Sequence, residues 1–160
     1  KVVGLLNRYF SAMSEIIFAH GGTLDKYIGD GLMALFGAPT ASEEDALNAV
    51  KAAVTMQKRI ASLNDELRAE GFGQISMGIG LHTGEATIGY IGSDKRSEYT
   101  AIGDTVNLAS RLESNAAGGQ ILMTEATHQA SGGRIPVNTR DPLTVKNRVQ
   151  PVNVLEIRWG

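Results

Sequence analysis

Cysteine is absent from all 160 residues, which excludes disulfides and thiolate chemistry and is compatible with a cytoplasmic setting. No apolar run is long enough to cross a bilayer, and the opening residues do not read as a signal peptide. Neither sign of charge dominates. Fifteen Lys and Arg against 17 Asp and Glu give a net charge of -2, so nothing draws the chain as a whole to nucleic acid or an anionic membrane. His20, His82 and His128 are too scattered for a zinc motif. There is no Walker A loop and no Gly-x-Ser-x-Gly elbow, and Gly78-Ile79-Gly80 is only a fragment of a dinucleotide fingerprint. Repeats, low-complexity tracts and internal linkers are also missing.

What remains is an ordinary globular composition, 42% hydrophobic and 20% charged, at the size of one domain with its own core. The chain opens at Lys1 and runs directly into a helical pattern, as a piece of a longer chain would. Val2, Leu5, Leu6, Tyr9, Phe10, Met13, Ile16 and Ile17 recur at helical steps, and Gly21-Gly22 ends the helix. Thr23 to Phe36 reads as a hairpin turning at Asp30-Gly31. Ser42 and Asp45 form a capping-box pattern ahead of a helix carrying Val50, Met56, Ile60, Leu63 and Leu67. Ile75 to Ile91 predicts two strands turning at Thr83-Gly84. A short helix follows from Thr105 to about Ser114, with Asp104 as its N-cap. Strands are expected at 121–124, 143–146 and 152–157. The order predicts an α+β fold with helices on one face of a largely antiparallel sheet. A strand ahead of Val2 would complete a ferredoxin-like βαββαβ core, so the first strand is absent from these residues.

Two stretches carry chemistry. In Leu24-Asp25-Lys26-Tyr27-Ile28-Gly29-Asp30-Gly31, Asp30 sits at the turn, either simply making it or offering a carboxylate to Mg²⁺ or Mn²⁺. Lys26, four residues earlier on an alternating strand, is a solvated lysine or a donor to a purine nitrogen or phosphate. In Tyr99-Thr100-Ala101-Ile102-Gly103-Asp104-Thr105-Val106-Asn107-Leu108-Ala109-Ser110-Arg111, Asn107 and Arg111 share a helix face. That face is either an exposed polar one or a pair suited to a ribose oxygen and a phosphoryl group. Thr100 serves strand packing unless its hydroxyl is used. Glu85 and Glu98 read as surface acids, and Lys95 and Arg96 as decoration of a hairpin tip.

These blocks resemble the catalytic domain of the class III nucleotidyl cyclases, the adenylyl and guanylyl cyclases, and the similarity runs from Leu5-Leu6-Asn7-Arg8-Tyr9-Phe10 to Pro151-Val152-Asn153-Val154. The resemblance implies that Asp30 is the second of two metal-binding aspartates and that Lys26 recognises the purine. Thr100 falls where many adenylyl cyclases carry Asp and one bacterial branch carries Thr. Asn107 matches the residue that orients the ribose, and Arg111 the one that stabilises the transition state. Lys146 or Arg148 matches the basic residue that holds the terminal phosphates.

The implied activity is an adenylate cyclase that forms 3′,5′-cyclic AMP and pyrophosphate from ATP with two Mg²⁺ or Mn²⁺ ions. Its active sites are shared across a head-to-tail homodimer, and the parent chain carries an upstream regulatory domain. Lys26 donating to adenine N1 and Thr100 accepting from N6 favour ATP. The Thr-containing branch includes bicarbonate-responsive members, which raises a bicarbonate response as an expectation here. The alternatives are a guanylyl cyclase of the same fold and a silent nucleotide-binding or dimerisation domain. A diguanylate cyclase is disfavoured, since its Gly-Gly-Asp/Glu-Glu-Phe turn is missing. The family's first metal aspartate, in an Asp-x-x-Gly-Phe-like segment before the opening helix, has no counterpart here. These residues alone are therefore expected to be weakly active or inactive.

Overall fold

Helix α1 (Val2–Ala19) forms because its apolar residues return every three or four positions, which buries Tyr9, Met13 and Ile17 along one face. The computed structural model describes residues 2–28, 31–38, 40–91, 98–144 and 150–159. Past the helix end, the Gly22 amide reaches back to the Ile17 carbonyl at 2.9 Å. Strands β1 (Thr23–Ile28) and β2 (Gly31–Leu35) then pair antiparallel. Gly31 pairs with Ile28 as the first residue of β2, so it belongs to the strand and not to the turn. Asp30, the other half of the expected turn, lies outside the described residues.

Leu32, Ala34 and Phe36 pack on the buried face of α1, with Met56 and Ile60 of α2 (Asp45–Ala69) completing the cluster. Arg8 of α1 bridges Glu66 of α2 and Glu70, the residue that caps its C-terminus, at 3.2 and 3.0 Å. These pairs are exposed and contribute little beside the apolar contact. The expected capping box forms only in part: the Ser42 N–H donates to Asp45 Oδ2 at 2.6 Å, but Ser42 Oγ accepts from the Glu44 N–H at 3.1 Å, and the N-cap is Glu44, whose side chain makes no capping bond.

Ile75 to Ile91 is not one hairpin. Its strands are β3 (Ile79–Leu81) and β4 (Thr87–Ile91), and they join different sheets. The backbone just before β3 is held by side-chain amides of α2. Asn64 exchanges two hydrogen bonds with Ile75, at 2.8 and 2.7 Å, and buried Gln57 donates to the carbonyls of Met77 and Gln120 at 2.8 and 3.2 Å. These amides satisfy polar groups that a neighbouring strand would otherwise take.

β4 pairs antiparallel with β5 (Glu98–Ile102). β3 runs parallel to β6 (Ile121–Thr124) in a mixed sheet of order β3-β6-β8-β7, whose other strands are β7 (Val137–Leu143) and β8 (Val152–Ile157). β7 comes earlier than the strand expected at 143–146. It is an edge strand whose register shifts between Arg140 and Leu143, where Pro142 cannot donate to a ladder. Helix α4 (Glu125–Ala130) is too short to leave a periodic signal in the sequence.

All four β6 residues are buried, so that strand needs a cover on each face. Ile121 and Met123 meet Val50 and Ala53 of α2, whereas Leu122 clusters with Leu112 of α3 (Asp104–Asn115). The helices therefore lie on both faces of this sheet, which corrects the expectation of one covered face. From α1 to β3 the order is helix, strand, strand, helix, strand, as the ferredoxin-like reading requires. The fold is α+β.

Candidate active site

The candidate site is built around α3. Leu108 and Leu112 are fully buried, four residues apart, and fix the azimuth of the helix against the sheet. Asn107 and Arg111, with the same spacing, lie on an adjacent face and are exposed. The helix is entered through Gly103, whose φ of 127° is strained for any side chain. Gly103 is thus the N-cap position, and Asp104 is the first helical residue instead of the cap.

Gly80 of β3 is the seat of this helix. A Cβ there would stand 2.7 Å from the Ala109 carbonyl oxygen and 2.8 Å from Leu112 Cβ, so helix backbone rests directly on strand backbone. At Gly78 a Cβ would stand 2.7 Å from the Ala116 carbonyl oxygen. The glycine pair that reads as a piece of a dinucleotide motif is a packing surface for α3.

Lys26 owes its position to a bulge. Leu24 pairs with Ala34 but Lys26 pairs with Met33, so Asp25 is an extra residue in β1. Leu24 and Ala34 share the α1 face; after the bulge, Tyr27 pairs with Leu32 on that same face, and its ring stands 4.5 Å from Phe10 of α1. Lys26 is therefore turned to the opposite face with Met33. In a regular strand Leu24 and Lys26 would share a face.

β1 lies against β5, bringing the strand of Lys26 beside that of Thr100, which is placed opposite Gly89. β5 leads through Gly103 directly into α3. Arg111 Nη2 donates to the Thr144 carbonyl at 3.3 Å, tying it to the segment ahead of 145–149. Lys146, Arg148 and Asp30 lie outside the described residues, as do Lys95 and Arg96. Among the described residues no three His, Asp or Glu side chains gather as a metal group, and the chain's candidate ligand remains Asp30. An open concavity of about 520 Å³ lies between α1 and α2, beside Arg8 and Arg59, and includes none of the candidate residues. No helix among the described residues is long and apolar enough to cross a membrane.

Residues 1–155 match the family described as "Adenylate and Guanylate cyclase catalytic domain". The chain belongs to this cyclase family. The cyclase domain is 41% identical over 113 residues to "Adenylate cyclase 1" of Rhizobium meliloti, covering 71% of the domain and 17% of that protein. It is 37% identical over 165 residues to "Adenylate cyclase, terminal-differentiation specific" of Dictyostelium discoideum, covering 99% of the domain and 8% of that protein. The domain thus spans less than a fifth of the length of either relative. Among solved structures, the guanylyl cyclase Cya2 superposes with a TM-score of 0.91 at 42% identity, covering 98% of the domain and 79% of that chain. The adenylyl cyclase CyaB from P. aeruginosa gives 0.90 at 37%, covering 98% and 81%. The cyclase fold is established by these matches, and the family uses divalent metals.

Two parts of the cyclase site escape a reading of the sequence. The glycine seat had a signal, since alternate glycines in a strand pattern mark a close backbone approach. The bulge had a fainter one in Asp25-Lys26, two charged residues interrupting an otherwise apolar alternation.

Proposed function

We propose that this domain is an adenylate cyclase that converts ATP to 3′,5′-cyclic AMP and pyrophosphate in a head-to-tail homodimer. The observation that carries this is the bulge at Asp25, which turns Lys26 away from α1 on a strand lying beside the one that bears Thr100. Lys26 donates to adenine N1, and the Thr100 hydroxyl accepts from N6. Asn107 orients the ribose so that its 3′-oxygen attacks the α-phosphorus in line. The new O–P bond forms as the bond to the β-phosphate oxygen breaks; pyrophosphate leaves with that electron pair, and the proton of the 3′-hydroxyl is released to solvent. Arg111 stabilises the charge that builds on the phosphoryl oxygens, and Lys146 or Arg148 holds the terminal phosphates. Asp30 is the ligand this chain offers to Mg²⁺ or Mn²⁺, which when bound neutralises phosphate charge.

Ile28 and Ile102 are 54% and 43% exposed, on the neighbouring strands β1 and β5. That apolar exposure supports a second copy seated there, with metal ligands from one subunit and base and transition-state residues from the other. A GTP-using enzyme is the second reading, favoured by the likeness to the guanylyl cyclase Cya2. Turnover of the full-length protein with Mn²⁺ and either ATP or GTP separates the two. Cyclic AMP from ATP with little product from GTP is expected, and Asn107→Ala and Arg111→Ala should each abolish most of it. Predominant cyclic GMP would transfer the assignment to GTP. Silence with both nucleotides from a folded dimer would make the domain a binding or dimerisation module.

A further inference from the structure

The loop between β3 and β4, His82-Thr83-Gly84-Glu85-Ala86, is not in a sheet, yet it is anchored at both of its sides. On one side His82 Nδ1 meets Thr124 Oγ1 at 2.8 Å, and Thr83 Oγ1 meets Thr127 Oγ1 at 2.9 Å. Thr124 and Thr127 are buried at the junction of β6 and α4 and stand 3.4 Å apart through their own hydroxyls. Two consecutive loop residues are thus bonded into the interior. On the other side the Thr105 hydroxyl donates to the Glu85 carbonyl. The approach is close enough that a Cβ at Gly84 would stand 2.8 Å from Thr105 Oγ1.

Thr105 lies in the first turn of α3, two residues before Asn107 and six before Arg111. The burial of Leu108 and Leu112 and the Gly80 seat hold the middle and end of the helix onto the sheet, but apolar contact is non-directional and does not fix the first turn. Gly103 supplies no side-chain cap. A hydrogen bond, whose strength falls steeply with distance and angle, adds a directional constraint at the start of the helix.

We propose that Thr105 is a positioning residue for cyclisation: its bond to the anchored 82–85 loop sets where the first turn of α3 sits, and so where Asn107 and Arg111 meet the nucleotide. This rests on the reading that those two residues act on the nucleotide. Thr105 itself touches no reacting atom, so its loss acts on kcat and leaves nucleotide affinity through Lys26 in place.

The test compares wild type, Thr105→Val, Thr105→Ala and Thr105→Ser in the full-length protein, by steady-state cyclisation and by amide hydrogen exchange over 103–111. A valine keeps the shape and removes the donor. Thr105→Val and Thr105→Ala are expected to lower kcat roughly 10- to 100-fold, the scale of a displacement of about 1 Å. KM should stay unchanged, exchange over 103–111 should rise, and Thr105→Ser should restore both. Wild-type kcat and exchange in Thr105→Val would overturn the proposal, as would a serine variant as impaired as the valine. A wild-type protein that makes no cyclic nucleotide refutes the functional reading instead. Exchange then decides the positioning role alone: unchanged protection in Thr105→Val rejects it, and increased protein motion over 103–111 that serine reverses supports it.

Discussion

Gly80→Ala is the sharpest perturbation of α3, the helix proposed to carry the catalytic pair, because it adds one methyl group where α3 touches β3 backbone to backbone. That methyl would stand 2.7 Å from the Ala109 carbonyl oxygen and 2.8 Å from Leu112 Cβ. Favourable carbon contacts lie at about 3.5–4.0 Å, so α3 has to move outward by roughly 1 Å. The atoms in the way are main chain and a buried Cβ, which cannot rotate aside as the end of a long side chain would. Overpacking of this kind costs about 1–3 kcal/mol of folding stability. The catalytic consequence is larger. A shift of roughly 1 Å carries Asn107 and Arg111 with the helix, and misplacement on that scale lowers turnover by about 100-fold. The assay is kcat and KM for cyclic nucleotide formation, read beside urea unfolding of the same variant. The expected pattern is a large fall in kcat with a protein that still folds. A variant with wild-type kcat and wild-type stability would refute the argument, since no rigid seat could then exist at Gly80.

Other outcomes follow from single contacts. Lys26→Glu replaces the proposed donor to adenine N1 with an acceptor, and should shift the ratio of ATP to GTP turnover by about 10-fold or more, the scale of one charged hydrogen bond; a ratio unmoved by the change would remove Lys26 from base recognition. Gln57→Leu leaves the Met77 and Gln120 carbonyls without their buried donor and should cost about 1–3 kcal/mol in denaturant unfolding, with an undiminished midpoint as the contrary result.

The sequence by itself determined the elements whose patterns are local. α1 and α2 are long enough for apolar periodicity to declare them, and β1, β2, β6 and β8 are bounded by turn residues and proline. The same locality made Lys26, Asn107 and Arg111 recognisable as candidates, because each stands at fixed spacing within one element or motif. What lay between elements was not legible. Gly78 and Gly80 signal a close approach of some backbone, but only the structure shows that it is α3, some 30 positions later, that is laid across them. Thr105 looks like a helix-start residue until its hydroxyl is seen to reach the Glu85 carbonyl. The placement of helices on both faces of the mixed sheet likewise depends on β3 pairing with β6 and not with β4. Hairpin pairing is the local default, and here it is overruled by a parallel, long-range partner. Tertiary structure alone decided the face of Lys26, because a bulge is a mismatch between two strands and belongs to neither. A one-residue slip against β2 reverses the side on which every later residue of β1 emerges.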